Sequence, residues 1–299
     1  MSLALKPVIL GLRPKQWTKN AIVLAALVFA LGDLKQNIHV GLDHLWVALE
    51  AMAIFCIVSS AVYLLNDLMD VELDRQHPVK RLRPIASGQL PVPVARVMCA
   101  VCAVGGLTAA WFITRNFFYV TLGYFIVQVI YTFGLKRVAL VDIFIISAGF
   151  VMRALAGAVA INVRISEWLL LCTLLLSLFL ALCKRRHELV VVNDEGGETR
   201  PSLRNYNEKV LDQLIAMVGA STMLSYALYT LWPETVERFG TKKLGFTIPF
   251  VIFGLFRYTD LVYRKELGGR PEQILLTDRT LLVSILLYVA TVIAIFLTH

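Results

Sequence analysis

The sequence predicts an all-α, polytopic membrane protein with about nine transmembrane helices. Three observations predict it. Of the 299 residues, 58% are hydrophobic, and the mean hydropathy is +0.71. Apolar runs long enough to cross a hydrocarbon core of about 30 Å recur along the whole length. An ordinary soluble domain is less apolar, and a membrane barrel would show short alternating segments instead. The runs fall near residues 19–34, 45–67, 93–113, 117–134, 139–161, 167–186, 210–231, 246–264 and 280–297. A single transmembrane domain over 1–299 is expected, without a soluble domain or a low-complexity segment.

Each element has a reason. The opening stretch holds Lys6, Arg13, Lys15 and Lys19 with Trp17, and reads as an interfacial segment rather than a cleaved leader. The second run ends in a cluster of acids followed by a basic loop. Gly134 permits the short turn between the fourth and fifth runs. The longer loops follow the second and sixth runs, and long loops in compact proteins are often functional.

Charge sets the topology. A net charge of +8 could suggest a nucleic-acid partner, but in a membrane protein it reads as loops rich in Lys and Arg on the cytoplasmic side. Of the 29 Lys and Arg, 21 fall on the side of the N-terminus and 6 on the other. No nucleic-acid partner is expected, and the N-terminus and the charged motifs are placed at the cytoplasmic face of a bacterial inner (plasma) membrane. Cys56, Cys99, Cys102, Cys172 and Cys183 all lie in apolar runs and read as small core hydrophobes.

The strongest motif is Asn66-Asp67-Leu68-Met69-Asp70, extended to Asp74. On one continuous helix Asp67, Asp70 and Asp74 share a face. Acids at a helix C-terminus oppose the macrodipole, so stability does not explain them. Converging carboxylates call for a cation, and Mg²⁺ is expected because it takes hard oxygen ligands and shares them with substrate phosphates. Asn66, Asp67 and Asp70 are the expected metal ligands; Asp74 is expected to bind a second ion or orient a substrate hydroxyl. The loop from His77 to Gly88 supplies Lys80, Arg81 and Arg83, which suit phosphate.

Other candidates are weighed against blander roles. Tyr131, Lys136 and Asp142 flank the turn at Gly134, where an aromatic belt with snorkelling cations would look similar. Lys184, Arg185 and Arg186, followed by His187 and Glu188, end the sixth run. They fit an anion clamp, or cations complementing a helix dipole. Arg153 lies roughly 16 Å past Asp142 along the fifth run at 1.5 Å per residue. A charge at that depth needs a polar cavity or a partner, so it is a lipid-phosphate candidate or half of a buried pair.

These motifs resemble the UbiA-type intramembrane prenyltransferase superfamily: Asn66, Asp67, Asp70 and Asp74 after the second span, then Tyr131, Leu135, Lys136 and Asp142. The resemblance implies a UbiA-type helical bundle with a cytoplasmic-facing active site. Members typically carry a second acidic motif at the end of the sixth helix, where this chain has Lys184-Arg185-Arg186-His187-Glu188. The chain is more similar to the branch that moves phosphoribosyl groups. The similarity lies in Leu12 through Asn20, including Lys19 and Asn20, in the Lys-Arg-Arg segment, and in Arg270-Pro271-Glu272 before Asp278-Arg279. That branch implies transfer of 5-phosphoribosyl from phosphoribosyl pyrophosphate to a polyprenyl (decaprenyl) phosphate lipid, with Mg²⁺ as cofactor and diphosphate leaving. It also implies that Lys80, Arg81, Arg83, Lys184, Arg185 and Arg186 bind the donor's phosphates. A homo-oligomer is left open. The alternatives are a conventional prenyltransferase acting on an aromatic or other acceptor, and a transporter. The missing second acidic motif argues against the first, and charges gathered at one face rather than the midplane argue against the second.

Overall fold

The computed structural model describes residues 5–33, 41–77, 79–195, 203–264, 269, 274 and 277–298. Pro78, Lys265 and Arg270-Pro271-Glu272 lie outside the described residues. Among the described residues there are only helices, turns and loops. Among the described residues, eight helices are long and apolar enough to cross a membrane, so the chain is a multi-pass membrane protein. The chain divides into two compact units: Met1–Leu27 with Val40–Ile145 and Met152–Arg164, and Val28–His39 with Ile146–Val151 and Ile165–His299.

The first unit starts with α1 (Leu5–Gly11) and a 3-10 segment, Pro14–Leu24. The segment runs on into α2 (Ala25–Ala30), which straddles the two units. The span expected at 19–34 is therefore no regular helix. Pro14 opens a tight 3-10 turn, and the regular α-helical part has only six residues. Helix α3 (Leu42–Met69) is the axis of this unit. It is followed by α4 (Val71–Gln76), α5 (Val92–Ile113), α6 (Arg115–Phe133) and α7 (Val141–Ala160). Helices α5 and α6 meet at Thr114, whose side chain accepts the Phe117 N–H at 3.1 Å and caps α6.

The core of this unit gathers Phe55, Val58, Val62, Phe117 and Tyr124 with Val23, Ala156 and Ala160. Phe55 sits 5.9 Å from the Phe117 ring and 5.3 Å from the Tyr124 ring. Small residues allow the 3-10 segment to approach α7. A Cβ built on Gly157 would collide with the backbone carbonyl of Val23.

The second unit contains α8 (Glu167–Glu195), α9 (Glu208–Leu231), α10 (Pro233–Phe239), α11 (Ile248–Arg264) and α12 (Arg279–Leu297). Side chains of Asn207 and Asp278 cap α9 and α12. Its core joins Tyr226, Tyr229, Phe239, Leu244 and Ile295. Within it the Tyr226 hydroxyl lies 2.6 Å from Thr247 Oγ1, and Asp33 is buried in an ion pair with Arg238. Helix α8 continues nine residues past Arg186, to Glu195. The expected helix end at Arg186 is thus only the end of the apolar run: helix propensity does not depend on hydropathy.

Candidate active site

The acidic motif sits where α3 gives way to α4. Asp70 takes φ −102° and ψ 9°, ending α3. Its N–H still donates to the Asn66 carbonyl at 3.0 Å, and its own carbonyl accepts the Asp74 N–H at 2.8 Å. The i→i+4 bonds persist across this interruption, and the acids fall into two sets by the cations they meet.

Asn66 and Asp70 form the first set. Lys136, in the turn after α6, donates to Asn66 Oδ1 at 3.2 Å and to Asp70 Oδ1 at 2.6 Å. Asp67 and Asp74, both buried, form the second. Arg83 Nη1 bridges them, at 3.0 Å from Asp67 Oδ1 and 2.5 Å from Asp74 Oδ2. Arg13 adds a fork on Asp67, with Nε 3.1 Å from Oδ2 and Nη2 bonded to Oδ1. Three carboxylates therefore meet three cations.

The surrounding loop is built to hold Arg83. Val79 and Lys80 donate their N–H groups to His77 Nδ1 at 3.2 and 3.3 Å, so His77 caps the turn as a neutral acceptor. Ile85 and Leu90 are buried beside Leu64. Arg81 is exposed and Lys80 half-buried. Past the Lys136 turn, Leu140 takes φ 66°, an outlier for a bulky residue. Asp142 follows, buried in the first turn of α7, where a carboxylate complements the helix dipole. Tyr131 is half-buried near the end of α6.

Arg153, Asn20 and Lys19 occupy a different place. Arg153 is buried on α7; Nε donates to Asn20 Oδ1 at 2.7 Å and Nη2 to the Tyr124 hydroxyl at 2.7 Å. Asn20 donates in turn to Ser59 Oγ at 3.1 Å. This is an internal brace tying the 3-10 segment to α3, α6 and α7, and it satisfies a charge that would otherwise be costly in the membrane. Lys19 is half-buried beside it in sequence.

Lys184, Arg185, Arg186 and Glu188 lie in the second unit. Arg185 is buried and donates to Glu188 Oε2 at 2.5 Å. Arg186 donates to Asp212 Oδ1 at 2.6 Å and to Glu208 Oε1 at 3.0 Å, and stacks 4.1 Å from the centre of the Tyr263 ring. The Tyr263 hydroxyl also donates to Asp212, at 2.7 Å. Asp278 accepts from Arg257 at 2.7 Å and from the Leu281 N–H at 2.9 Å, a helix cap with an ion pair.

Among the described residues, no three His, Cys, Asp or Glu side chains are placed to hold a metal by themselves. The donor set nevertheless suits Mg²⁺, which commonly takes only one or two protein carboxylates and fills its shell with water and phosphate. The Lys136 ammonium marks a point where an amide oxygen and a carboxylate oxygen already converge on a cation.

Comparisons with known proteins give the chain its family and its fold. The model of the UbiA prenyltransferase family matches residues 21–267. The chain belongs to the UbiA prenyltransferase family. It is 36% identical over 292 residues to the decaprenyl-phosphate phosphoribosyltransferase of Mycolicibacterium smegmatis, covering 94% of this chain and 90% of that one. It is 38% identical over 288 residues to the protein of the same name from Mycobacterium tuberculosis, covering 95% and 92%. A UbiA homologue from Archaeoglobus fulgidus, solved with GPP and Mg²⁺, has the same fold, with a TM-score of 0.69 at 19% identity over 95% of this chain and 97% of that one. Within this UbiA-family chain, Arg13 is a site residue to which motif reading gives no role, although it lies in the Leu12–Asn20 segment that carries the resemblance.

Proposed function

We propose that this chain transfers the 5-phosphoribosyl group of phosphoribosyl pyrophosphate to a polyprenyl phosphate, decaprenyl phosphate being the first lipid to test, at the cytoplasmic face of a bacterial plasma membrane. The observation that carries the reading is near full-length identity of 36–38% to proteins named for that activity. The bond from the anomeric carbon to the diphosphate oxygen breaks, and a bond from that carbon to a lipid phosphate oxygen forms. The lipid phosphate is already anionic, so no strong general base is needed, and none of the site's residues is placed as one.

The first unit's residues then have roles. Asn66 and Asp70, with Asp67 beside them, would hold Mg²⁺, which supplies Lewis-acid stabilisation of the leaving diphosphate. Lys136 and Arg83 are cations paired with these acids, and they neutralise charge on the departing group. Lys80 and Arg81 extend the cationic rim. Asp74 aims Arg83, or meets a ribose hydroxyl.

The test is turnover by detergent-purified protein with Mg²⁺, decaprenyl phosphate and labelled phosphoribosyl pyrophosphate. A labelled lipid-soluble product that vanishes with EDTA is expected. No product, with activity instead on a prenyl diphosphate and an aromatic acid, would restore the conventional prenyltransferase reading.

A further inference from the structure

Arg13 occupies a backbone conformation that needs explaining. It takes φ 54° and ψ 57°, the left-handed region that bulky residues rarely enter and that persists only where the surroundings impose it. The surroundings here do. Ser60 Oγ shares its one proton between the Leu12 carbonyl at 2.8 Å and the Cys56 carbonyl of its own helix at 2.7 Å, and accepts the Trp17 indole N–H at 3.0 Å, so one hydroxyl on α3 meets the chain on both sides of Arg13. The Gln16 N–H closes onto the Arg13 carbonyl at 2.8 Å. Gly11 packs against Leu90 so tightly that an added Cβ would lie 2.9 Å from it.

The kink delivers the guanidinium to Asp67, 54 residues away in sequence. The fork meets both carboxylate oxygens, and its carbon stands 5.3 Å from the centre of the Tyr63 ring. A bidentate Arg–carboxylate pair fixes direction as well as charge; an ammonium would fix charge alone.

We propose that Arg13 is a positioning residue for Asp67, aiming the carboxylate and competing with a divalent cation for it. The proposal rests on the reading of Asp67 as part of the Mg²⁺ group. Arg13 engages both oxygens in the resting protein, so a metal at Asp67 shares those oxygens with the fork and competes with it for their charge. The clamp at Ser60 keeps the guanidinium beside the site when that happens.

The experiment uses the full chain in detergent, with Mn²⁺ binding followed by electron paramagnetic resonance without substrate, and steady-state turnover measured separately. Arg13→Gln is expected to bind Mn²⁺ several-fold more tightly while kcat falls roughly tenfold to a hundredfold, the scale of a misplaced reacting group, with the donor KM little changed. Arg13→Lys is expected to restore the wild-type Mn²⁺ affinity but not kcat. Ser60→Ala keeps the guanidinium but loosens the clamp, and should lower kcat in the same direction by less; it also serves if Arg13→Gln fails to fold. Unchanged Mn²⁺ affinity in Arg13→Gln, full recovery of kcat in Arg13→Lys, or wild-type kcat in Ser60→Ala would each overturn the proposal. A wild-type protein that binds no Mn²⁺ would overturn it together with the metal assignment, an outcome distinct from all of these.

Discussion

Two charge clusters, one in each unit, pair the same kinds of charge in opposite ways. Around Asp67 in the first unit the acid is inside and the cation faces outward: the Asp67 side chain is 4% exposed, while its partner Arg83 is 24% exposed. Around Arg185 and Arg186 in the second unit the cations are inside: the Arg185 side chain is 2% exposed, and the acids that hold Arg186 are 37% exposed at Asp212 and 43% at Glu208. The inversion bears on function. Outward cations can exchange a carboxylate for a phosphate oxygen without being dragged from a low-dielectric interior. Buried arginines that swapped partners would leave their charge uncompensated during the exchange, which is costly. The first arrangement suits a substrate site. The second suits a structural tie holding α8 to α9 and α11.

The largest effect that would break this contrast lies in the first unit. Asp70→Ala should reduce turnover by at least about a hundredfold, the scale of losing one preorganised electrostatic group, and leave the protein folded, because Asp70 holds only the partly exposed Lys136. Asp67→Ala should be equally inactive but less stable, since it strands Arg13 and leaves Arg83 to Asp74 alone. Kinetics and thermal unfolding on the same preparations check both. Near-normal Mg²⁺-dependent activity in either variant would remove these acids from the mechanism.

The second unit should answer in the other currency. Arg186→Met removes two ion pairs and a ring contact, and should lower stability by about 1–2 kcal/mol after allowance for the half-exposed acids. Donor KM should stay within a few-fold. A marked rise in donor KM with an unchanged melting temperature would return Arg186 to the substrate, as the motif reading expects.

Helix placement was legible because hydropathy and charge asymmetry are properties of whole segments, and the bilayer leaves few alternatives. The exceptions are instructive. At Pro14–Leu24 the window is apolar enough, but a proline start and the Arg13 kink impose 3-10 geometry that an average over the window cannot register. At the motif, the spacing of Asp67, Asp70 and Asp74 brings the acids together but says nothing of their division between Lys136 and the two arginines, because those cations arrive from other segments. The Lys136 and Arg13 pairings span 66 and 54 residues. Long-range pairs of that kind leave no local pattern, so the Leu12–Asn20 segment is legible in the sequence but the partner of its Arg13 is not.

A smaller perturbation tests whether the first unit's packing also depends on close approach. Gly157→Ala places a methyl against the Val23 carbonyl, which is backbone and cannot rotate away. The 3-10 segment must shift, at a cost of about 1–3 kcal/mol typical of overpacking. Because that segment carries Asn20, the brace on Arg153 should loosen with it, and the melting temperature should fall.

The smallest expected effects lie at two helix caps, one in each unit. Thr114 caps α6 through a single bond to the Phe117 N–H, so Thr114→Ala should cost about 1 kcal/mol. Asp278 caps α12 but also accepts two bonds from Arg257, so Asp278→Ala should cost more than its cap alone. Asp278→Asn separates the contributions: asparagine is as good a cap but gives up the charge. If the Asn variant melts with the wild type, Asp278 is a cap and little else. If it melts with the Ala variant, the ion pair to Arg257 carries the stability, and the second unit again depends on acids holding its arginines in place.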